Sequence, residues 1–339
     1  MLFFGGNMKK TLRFWILTLI TFSMVAILSS SLFSSYIVTK KTLIENSLEQ
    51  NEVYSLKLSQ MTEEVFESMQ ANLESRKLDV IHNMNDPREL TEILDQLLIS
   101  GKNFNSLSVI GSDGIAIATS PNVGIVGNKI ESQGVKEALN KRESIITTPY
   151  KAVTGRLVVL VSTPLFDSAN NYLGMLNGSI YLQEDNFIQN ILAEHFNEDG
   201  SYVFVVDKEG TLIYHPEKER IGEKVSENRV VQNLMEKESG SQEIYNTKGD
   251  HVIAGYTYIE GSEWGVVSQT PFDSSFESFK GNNIENVLLC LAFLNIFLYI
   301  SVLYFRTFSF TIKKISFIYI KFSRRRYKYR KAKNLYMVF

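Results

Sequence analysis

The chain has 339 residues, of which 44% are hydrophobic, and a net charge of −2 that hides an uneven distribution of charge. All 37 acidic residues lie in segment 34–286, which also holds 21 basic residues and so has a net charge of −16. Residues 1–33 and 306–339 contain basic residues but no acidic ones. The single cysteine, Cys290, excludes a disulfide scaffold, so the central segment depends on its own hydrophobic core.

Two uncharged apolar runs lie at the charge boundaries. Residues 14–33 and 287–305 are each long enough, at about 1.5 Å per residue, to cross a hydrocarbon core of about 30 Å. Basic residues in 1–13 and 306–339 flank these runs, and positive flanks remain in the cytoplasm. We therefore expect a two-span protein of a bacterial cytoplasmic membrane with 34–286 outside. A cleaved signal peptide is the alternative interpretation of the first run.

A long helix is predicted to follow the first span, and we assign residues 34–89 to this stalk. Tyr36–Asn85 contains neither Pro nor Gly. Apolar residues recur at helical spacings, with three polar interruptions at Asn51, Ser55 and Thr62; the apolar positions are Ile44, Leu48, Leu58, Val65, Met69 and Leu73. Such a helix needs a partner along its length, which is either its own globular region or a second copy of the chain in a homodimer.

The stalk is predicted to end at Asp86-Pro87, where a second amphipathic helix begins with Asp86 as its N-cap. An internal duplication follows. In Val109–Gly127 and again in Val205–Gly222, two β-type runs flank a glycine turn and precede a proline, a glycine and a helix. The turn glycines, Gly114 and Gly210, show that one supersecondary unit occurs twice.

Each copy is predicted to form a module with one short helix and five strands. In the first module, 90–185, the helix is Gly134–Leu139 and the strands are Leu107–Val109, Ile115–Ala118, Ser144–Thr148, Leu157–Thr163 and Leu173–Ile180. In the second, 186–280, a joining helix Phe187–Phe196 precedes strands Tyr202–Asp207, Thr211–His215, Glu243–Asn246, His251–Ile259 and Trp264–Thr270, with the helix Val230–Lys237. The fold class is therefore α+β, with two antiparallel sheets.

These stretches resemble double Cache (dCache) sensor domains. VVDKEGTLIYHPEKERIGEKV, residues 205–225, resembles the membrane-proximal half of that family. VIGSDGIAIATSPNVGIVGNKI, residues 109–130, with the later TTPYKAVTGRLVVLVSTPLFDSANNYLGMLNGSI, residues 147–180, resembles the membrane-distal half. The resemblance implies two tandem PAS-like modules on a long stalk helix outside the membrane, dimers, and a small-molecule ligand, which is usually held by the distal module.

The resemblance also directs attention to a distal pocket, for which the candidate residues are Tyr150, Thr148, Lys129, Arg156, Asn177 and Ser179. Lys129 or Arg156 would pair with a carboxylate, or each is a solvated surface cation. The subset of the family that binds amino acids carries carboxylates two residues after the tyrosine and later in the module. Ala152 and Ser179 occupy those positions here, so an α-amino acid ligand is disfavoured.

Catalysis and metal binding are not predicted. The four histidines, His82, His195, His215 and His251, show neither HxH nor HxxxH spacing. Asp207 and His215 are close across a predicted hairpin, but His215-Pro216 follows the family pattern, and we interpret it as structural or pocket-lining. Cys290 lies in an apolar run and is therefore no nucleophile. We expect neither an enzyme nor a cofactor.

The basic tail, 306–339, begins like a HAMP linker helix and then departs from that pattern. Its cations would bind anionic lipid, and nucleic acid is the weaker interpretation that we do not adopt. A truncated or frameshifted gene would also produce such an end. The sequence thus predicts a membrane-anchored extracytoplasmic small-molecule sensor that transmits ligand binding across the membrane, without its output domain. The alternative is a ligand-free structural or interaction protein at the cell surface.

Overall fold

The computed structural model describes residues 12–101, 103–192, 200–275, 288–297, 299–300 and 303, with side chains from residue 18. The chain divides into two compact units. One comprises Lys41–Glu277, and the other contains the described residues of Met1–Lys40 and Ser278–Phe339.

Helix α1 runs without interruption from Leu12 to His82, over 71 residues, as the absence of Pro and Gly from the stalk predicts. Among the described residues, its N-terminal part is the one stretch long and apolar enough to cross a membrane, with a mean hydropathy of 1.5. Leu288–Phe297 is a shorter apolar helix. The rest of the predicted second span lies only partly within the described residues, and tail 306–339 lies outside them.

Helix α2 spans Pro87–Gly101 and begins as predicted. The Asp86 carboxylate accepts hydrogen bonds from the backbone N–H groups of Arg88, at 3.0 Å, and Glu89, at 3.3 Å. This N-cap satisfies two amide groups that have no partner within the helix. Leu90, Leu94 and Leu97, at helical spacing, face the core.

The distal module is an antiparallel sheet with the strand order β2-β1-β6-β5-β3 and with β4 paired to β5. Its elements are β1 Ser106–Gly111, β2 Ala116–Ser120, α3 Gln133–Lys141, β3 Ile145–Ile146, β4 Tyr150–Lys151, β5 Leu157–Phe166 and β6 Tyr172–Tyr181. The strand predicted at Ser144–Thr148 is shortened to β3, and a second short strand, β4, which was not predicted, follows it. Pro149 lies between them, and it has no N–H to donate to a sheet.

The proximal module repeats this plan with the strand order β8-β7-β11-β10-β9. Its elements are α4 Phe187–Leu192, β7 Tyr202–Val206, β8 Leu212–Tyr214, α5 Arg229–Met235, β9 Gly240–Tyr245, β10 His251–Ile259 and β11 Trp264–Pro271. Residues 193–199, which include the end of the predicted joining helix and His195, lie outside the described residues. The predicted α+β class, with a long N-terminal helix and two antiparallel sheets, is confirmed.

The duplication extends to individual hydrogen bonds. Gly127 donates its N–H to the Ala116 carbonyl at 2.8 Å, and Gly222 donates to the Leu212 carbonyl at the same distance. The carbonyls of Gly114 and Gly210 each accept an N–H, from Ile130 and Val225, at 2.8 Å. Both of these turn glycines have positive φ, of 85° and 76°. Glycine adopts such angles at little cost, which accounts for its recurrence at this turn.

One face of each sheet packs against α1. The largest apolar cluster joins Leu58, Phe66, Met69 and Leu73 of the helix to both modules, and Phe66 meets Trp264 edge-to-face at 4.7 Å between ring centroids. Complete burial of each such side chain contributes about 1.5–3 kcal/mol. The opposite face of each sheet carries its own smaller core, covered by α3 in the distal module and by α5 in the proximal one.

Candidate functional site

A small cavity of about 50 Å³ lies within the distal core, between the segment that contains α3 and the face of the sheet that is turned away from α1. Its walls combine apolar side chains with eight hydroxyl groups, which come from β1, β2, the residue before α3, the segment 150–154 and β6. The hydroxyl-bearing lining residues are Ser106, Ser108, Thr119, Ser132, Tyr150, Thr154, Ser179 and Tyr181. Among the described residues, no Asp, Glu, Lys or Arg lines it. Apolar walls with orienting polar groups are typical of small-molecule sites, but such sites measure about 300–1,000 Å³, so the cavity must widen to hold a ligand of that size.

A polar row crosses the sheet on the cavity side. Thr119 pairs with Ser108, Ser108 with Asn177, and Asn177 with Ser162, each on the neighbouring strand. Directly paired residues of an antiparallel sheet project from the same face, so all four side chains share the face that bounds the cavity. Four adjacent polar residues on a buried face are costly unless they have hydrogen-bond partners.

Asn177 lies at the middle of this row and is fully buried. Neither its side-chain oxygen nor its nitrogen has a hydrogen-bond partner among the described residues, and the same holds for the Thr119 hydroxyl. Leaving a buried polar group unpaired costs about 1–3 kcal/mol. Such exceptions to the rule of buried hydrogen bonding point to a missing partner, which is a water molecule or a ligand.

Tyr150 forms one end of the cavity and is buried, with 6% of its surface exposed. Its ring lies directly against Gly134 at the start of α3, where a Cβ atom would overlap with the ring. Burial raises the pKa of the Tyr150 phenol well above its usual value, although a hydrogen bond with Ser132 opposes this effect. The phenol is therefore neutral and able to donate a hydrogen bond at physiological pH.

Of the predicted site residues, Tyr150 and Ser179 line the cavity, and Asn177 lies on its face of the sheet. Thr148 is half-buried outside the lining. Lys129 borders a polar surface cleft with Gly114 instead. The assignment of these residues as ligand contacts stays a prediction.

Arg156 also lies outside the cavity. Its guanidinium group is exposed, pairs with Glu184 at 2.6 Å and lies 4.7 Å from the Tyr181 ring centroid. The hydrogen bond that Arg156 donates to the Glu184 carboxylate raises the pKa of Arg156. Of the two alternatives for this residue, the structure shows the surface position. For Arg156 to bind a carboxylate ligand in the cavity, its side chain would have to leave Glu184 and turn inward.

Sequence reasoning did not name Ser106, Ser108, Thr119 or Ser132 as site residues. The alternation within β1 contains the relevant signal, because Ser106 and Ser108 alternate with Leu107 and Val109 in SLSVIG. One face of this strand is apolar and faces α1, whereas the other is polar. Recognition of Thr119 required the pairing register of β1 with β2, which the sequence does not specify.

Asp207 and His215, the most suggestive catalytic pair in the sequence, do not contact each other through a hydrogen bond. The Asp207 carboxylate closes its own turn by accepting the N–H groups of Glu209 and Thr211, at 2.9 and 2.7 Å. His215 bonds instead to Glu217 and lies beside Arg220. Among the described residues, no cluster of three or more His, Cys, Asp or Glu side chains suits a metal ion.

Two tandem antiparallel modules on one long helix, with a small cavity in the core of the distal one, define a class of protein: the extracytoplasmic sensor domains of membrane receptors. Comparison with known proteins supports this class. Residues 38–279 match the model of the dCache_1 family, described as a Cache domain, and this match covers most of the chain. The chain belongs to the dCache family, as the sequence motifs predict.

Among curated proteins, the methyl-accepting chemotaxis protein PscA of Pseudomonas syringae pv. tomato is 30% identical over 146 residues. The aligned region is 42% of this chain but only 22% of that protein. The chain therefore spans less than a quarter of this curated relative.

Solved structures show the same fold at low sequence identity. The periplasmic sensory domain of the Campylobacter jejuni chemoreceptor Tlp1 has a TM-score of 0.55 at 17% identity, covering 69% of this chain and 98% of that one. The ligand-binding domain of the Pseudomonas fluorescens chemoreceptor CtaA, solved in complex with L-isoleucine, has a TM-score of 0.52 at 19% identity, covering 73% and 99%.

Proposed function

We propose that this chain is a membrane-anchored sensor whose distal module binds a small molecule in the cavity beside Asn177 and Tyr150. The observation that carries the proposal is the unpaired amide of Asn177, which is fully buried on the cavity face of the sheet. A ligand with adjacent donor and acceptor groups would satisfy both atoms of this amide. Removal of that penalty, about 1–3 kcal/mol per group, would favour the bound state.

The chemistry of the walls favours a sensor over a ligand-free structural protein. A closed and wholly apolar cavity would suit the structural alternative, because apolar cavities remain empty without penalty from unpaired polar groups. Here the Thr119 hydroxyl and the Asn177 amide face the cavity side of the sheet and have no partners among the described residues. These groups need a polar partner, which a ligand or a water molecule can supply, whereas a wholly apolar core needs none.

The class of ligand is left to experiment. CtaA, which shares the fold, holds L-isoleucine in its solved complex. The sequence-based argument against α-amino acids rested on Ala152 and Ser179 at positions where carboxylates were expected, and the comparisons do not support excluding this class. Amino acids therefore belong in the set of compounds tested, together with small neutral and carboxylated metabolites.

We further propose that signalling is a shift between two populations that differ in cavity geometry. Helix α1 packs against both modules, so a displacement of about 1–2 Å at the distal sheet would be passed to this helix, whose N-terminal part is the candidate membrane span. A homodimer, a second span at 287–305 and an output domain in a longer or partner chain complete this scheme. All three are expectations from the sequence and the family.

The test is a thermal-unfolding screen of the full chain in detergent, followed by the Asn177→Leu variant. A true ligand raises the melting temperature of the wild-type protein. In the variant this rise should disappear, while the melting temperature without ligand stays equal or increases because an unpaired amide has been removed. The exposed Asn140, on α3 of the same module, provides the matched control Asn140→Leu.

Two results would contradict the distal assignment. In the first, Asn177→Leu retains the full ligand-induced shift. In the second, Tyr150→Ala folds and binds the same compound with wild-type affinity. A screen in which no compound class stabilises the wild-type protein would favour the structural alternative.

A further inference from the structure

The proximal module has a poorly paired buried amide of its own. Gln269, on β11, is 1% exposed, and its side chain interacts with the Tyr202 phenol on the neighbouring strand. That contact is loose, and neither amide atom forms a well-aligned hydrogen bond among the described residues. It lies between Tyr202 on one neighbouring strand and Ala254 on the other, on the face that carries the proximal core. The nitrogen of Gln242, the next residue in this row, is also buried without a partner.

His215 and Arg220 present two hydrogen-bond donors to the same place. The Glu217 backbone N–H donates to Nδ1 of His215 at 3.0 Å, so this ring nitrogen carries no proton. The proton of the neutral ring is therefore on Nε2, which lies 3.3 Å from Nη1 of Arg220. A guanidinium nitrogen has no lone pair to offer, so these two groups face each other as donors and lack an acceptor.

The ring is neutral at physiological pH, as this assignment requires. Burial, together with the positive charge of Arg220, lowers the pKa of His215 to about 4. Arg220 is also held in place by other contacts. Its Nε donates to Glu223 at 2.7 Å, and its Nη2 donates to the Thr247 hydroxyl at 3.3 Å. Among the described residues, Nη1 therefore has only the histidine proton as its polar neighbour at this distance.

These groups line one small cavity of about 10 Å³, bounded by Tyr202, His215, Arg220, Thr247 and Gln269 among others. Such a space holds about one atom group the size of water. Tyr202 and His215 also line a cleft of about 400 Å³, whose walls include Tyr214, Pro216 and Lys218. The cleft is large enough for the organic part of a small ligand, and the cavity for one oxygen atom of its polar end.

We propose that the proximal module contains a second binding site, in which a small carboxylate places one oxygen against His215 Nε2, Arg220 Nη1 and the Gln269 amide nitrogen. A carboxylate is an acceptor with two oxygens, so it can accept from several donors at once. The nearby acids are already paired, Glu223 with Arg220 and Glu217 with Lys248. The site is independent of the distal cavity, because the two lie on different sheets.

The experiment measures thermal unfolding of the full chain in detergent at pH about 7, with sodium acetate as the probe. Sodium chloride at equal ionic strength controls for salt, and acetamide controls for shape without charge. Acetate at about ten times its half-saturating concentration should raise the melting temperature by about 3 °C, whereas chloride and acetamide should not. An equal shift with acetamide would overturn the assignment of a carboxylate.

Variants then locate the site. Arg220→Gln should abolish the acetate shift, and the exposed Arg229→Gln serves as its control. Because loss of the Glu223 pair can impair folding, Gln269→Leu provides a second readout. It should melt near the wild-type temperature without acetate, since Gln269 makes only a loose contact with the Tyr202 phenol, yet lose at least half of the acetate shift.

Three outcomes would overturn the proposal. The first is that acetate has no effect beyond that of chloride, in which case only water occupies the cavity. The second is that the shift persists in both Arg220→Gln and Gln269→Leu. The third is that the distal variant Asn177→Leu abolishes the shift, which would place acetate in the other module. Retention of the shift in Asn177→Leu supports a site separate from the distal one.

Discussion

Single buried amides distinguish the two modules from ordinary sheet cores. Asn177 and Gln269 each lie on the strand at the middle of their sheet, on the face away from α1. Asn177 lacks partners for both amide atoms among the described residues, and Gln269 has only a loose contact with the Tyr202 phenol. Native cores contain few such groups. The two amides are not equivalent positions of the duplicated unit. Gln269 pairs with Tyr202, the counterpart of Ser106, and Ser106 pairs with Ser179 in the distal module. Each module therefore has its own buried amide, two residues apart along the central strand.

At the residue scale, His215 makes stability depend on pH. Its folded pKa of about 4 lies below the unfolded value of about 6.5, chiefly because of burial and the charge of Arg220, with Glu217 opposing and Lys248 adding to the effect. Between these values the unfolded chain binds more protons than the folded one. The contribution of His215 is therefore fully present above pH of about 6.5 and is lost as the pH falls towards about 4.

We expect the free energy of unfolding to fall by about 2 kcal/mol from this residue between pH of about 7 and about 5. Urea denaturation of the wild-type chain and His215→Gln at both pH values measures it, as the difference between the two pH dependences. His82→Gln, at an exposed histidine of α1, should retain the wild-type dependence. Identical pH dependences for the wild type and His215→Gln would show that His215 is not held neutral by the fold.

At the element scale, α1 contacts the proximal sheet through a polar surface. Asn51 accepts from Ser268 at 2.8 Å and donates to Thr270 at 3.2 Å, and Ser55 is 2.9 Å from the Thr257 hydroxyl. The polar residues predicted to interrupt the apolar seam of the stalk are thus buried members of it. Polar contacts are specific in geometry, so this part of the helix is held in one register against β10 and β11.

Gly255, on β10, allows this close approach. A Cβ atom there would overlap with the backbone of Asn51 and Glu52, and backbone atoms move less readily than the ends of side chains. Gly255→Ala should therefore lower the free energy of unfolding by about 1–3 kcal/mol, measured by urea denaturation. Gly101→Ala, whose Cβ would make only ordinary contact with Asn72, is the matched control, with an expected change within about 0.5 kcal/mol. Equal stability of both variants would argue against a close-packed stalk.

At the scale of the whole molecule, the charge distribution predicts the orientation in the membrane. The acidic unit should lie outside and the basic termini inside. In a Cys290→Ser background, Glu227→Cys, exposed in the sensor unit, should react in intact cells with a maleimide that cannot cross membranes. Asn7→Cys should react only after the membrane is opened. Reaction of Asn7→Cys in intact cells, or failure of Glu227→Cys to react with the maleimide there, would contradict the proposed orientation in the membrane.

Local patterns in the sequence determined a large part of this protein. The turn glycines Gly114 and Gly210, the Asp86 cap and the length of α1 depend on local backbone preferences, so they can be inferred from neighbouring residues. The duplicated strand order and the dCache family follow from the same local signals. The stalk positions Leu58, Met69 and Leu73 were predicted as apolar and are buried, since helical spacing alone places them on one side.

Tertiary structure decided the rest. Whether Asn177 and Gln269 have partners, and whether Arg156 faces a ligand or Glu184, depends on strand register and on side chains distant in sequence. Thr119 joins the cavity through β1–β2 pairing, and His215 acquires its protonation state from Glu217 and Arg220 in the folded module. Local sequence specifies which elements form, whereas the environment of a buried polar group exists only once those elements have packed together.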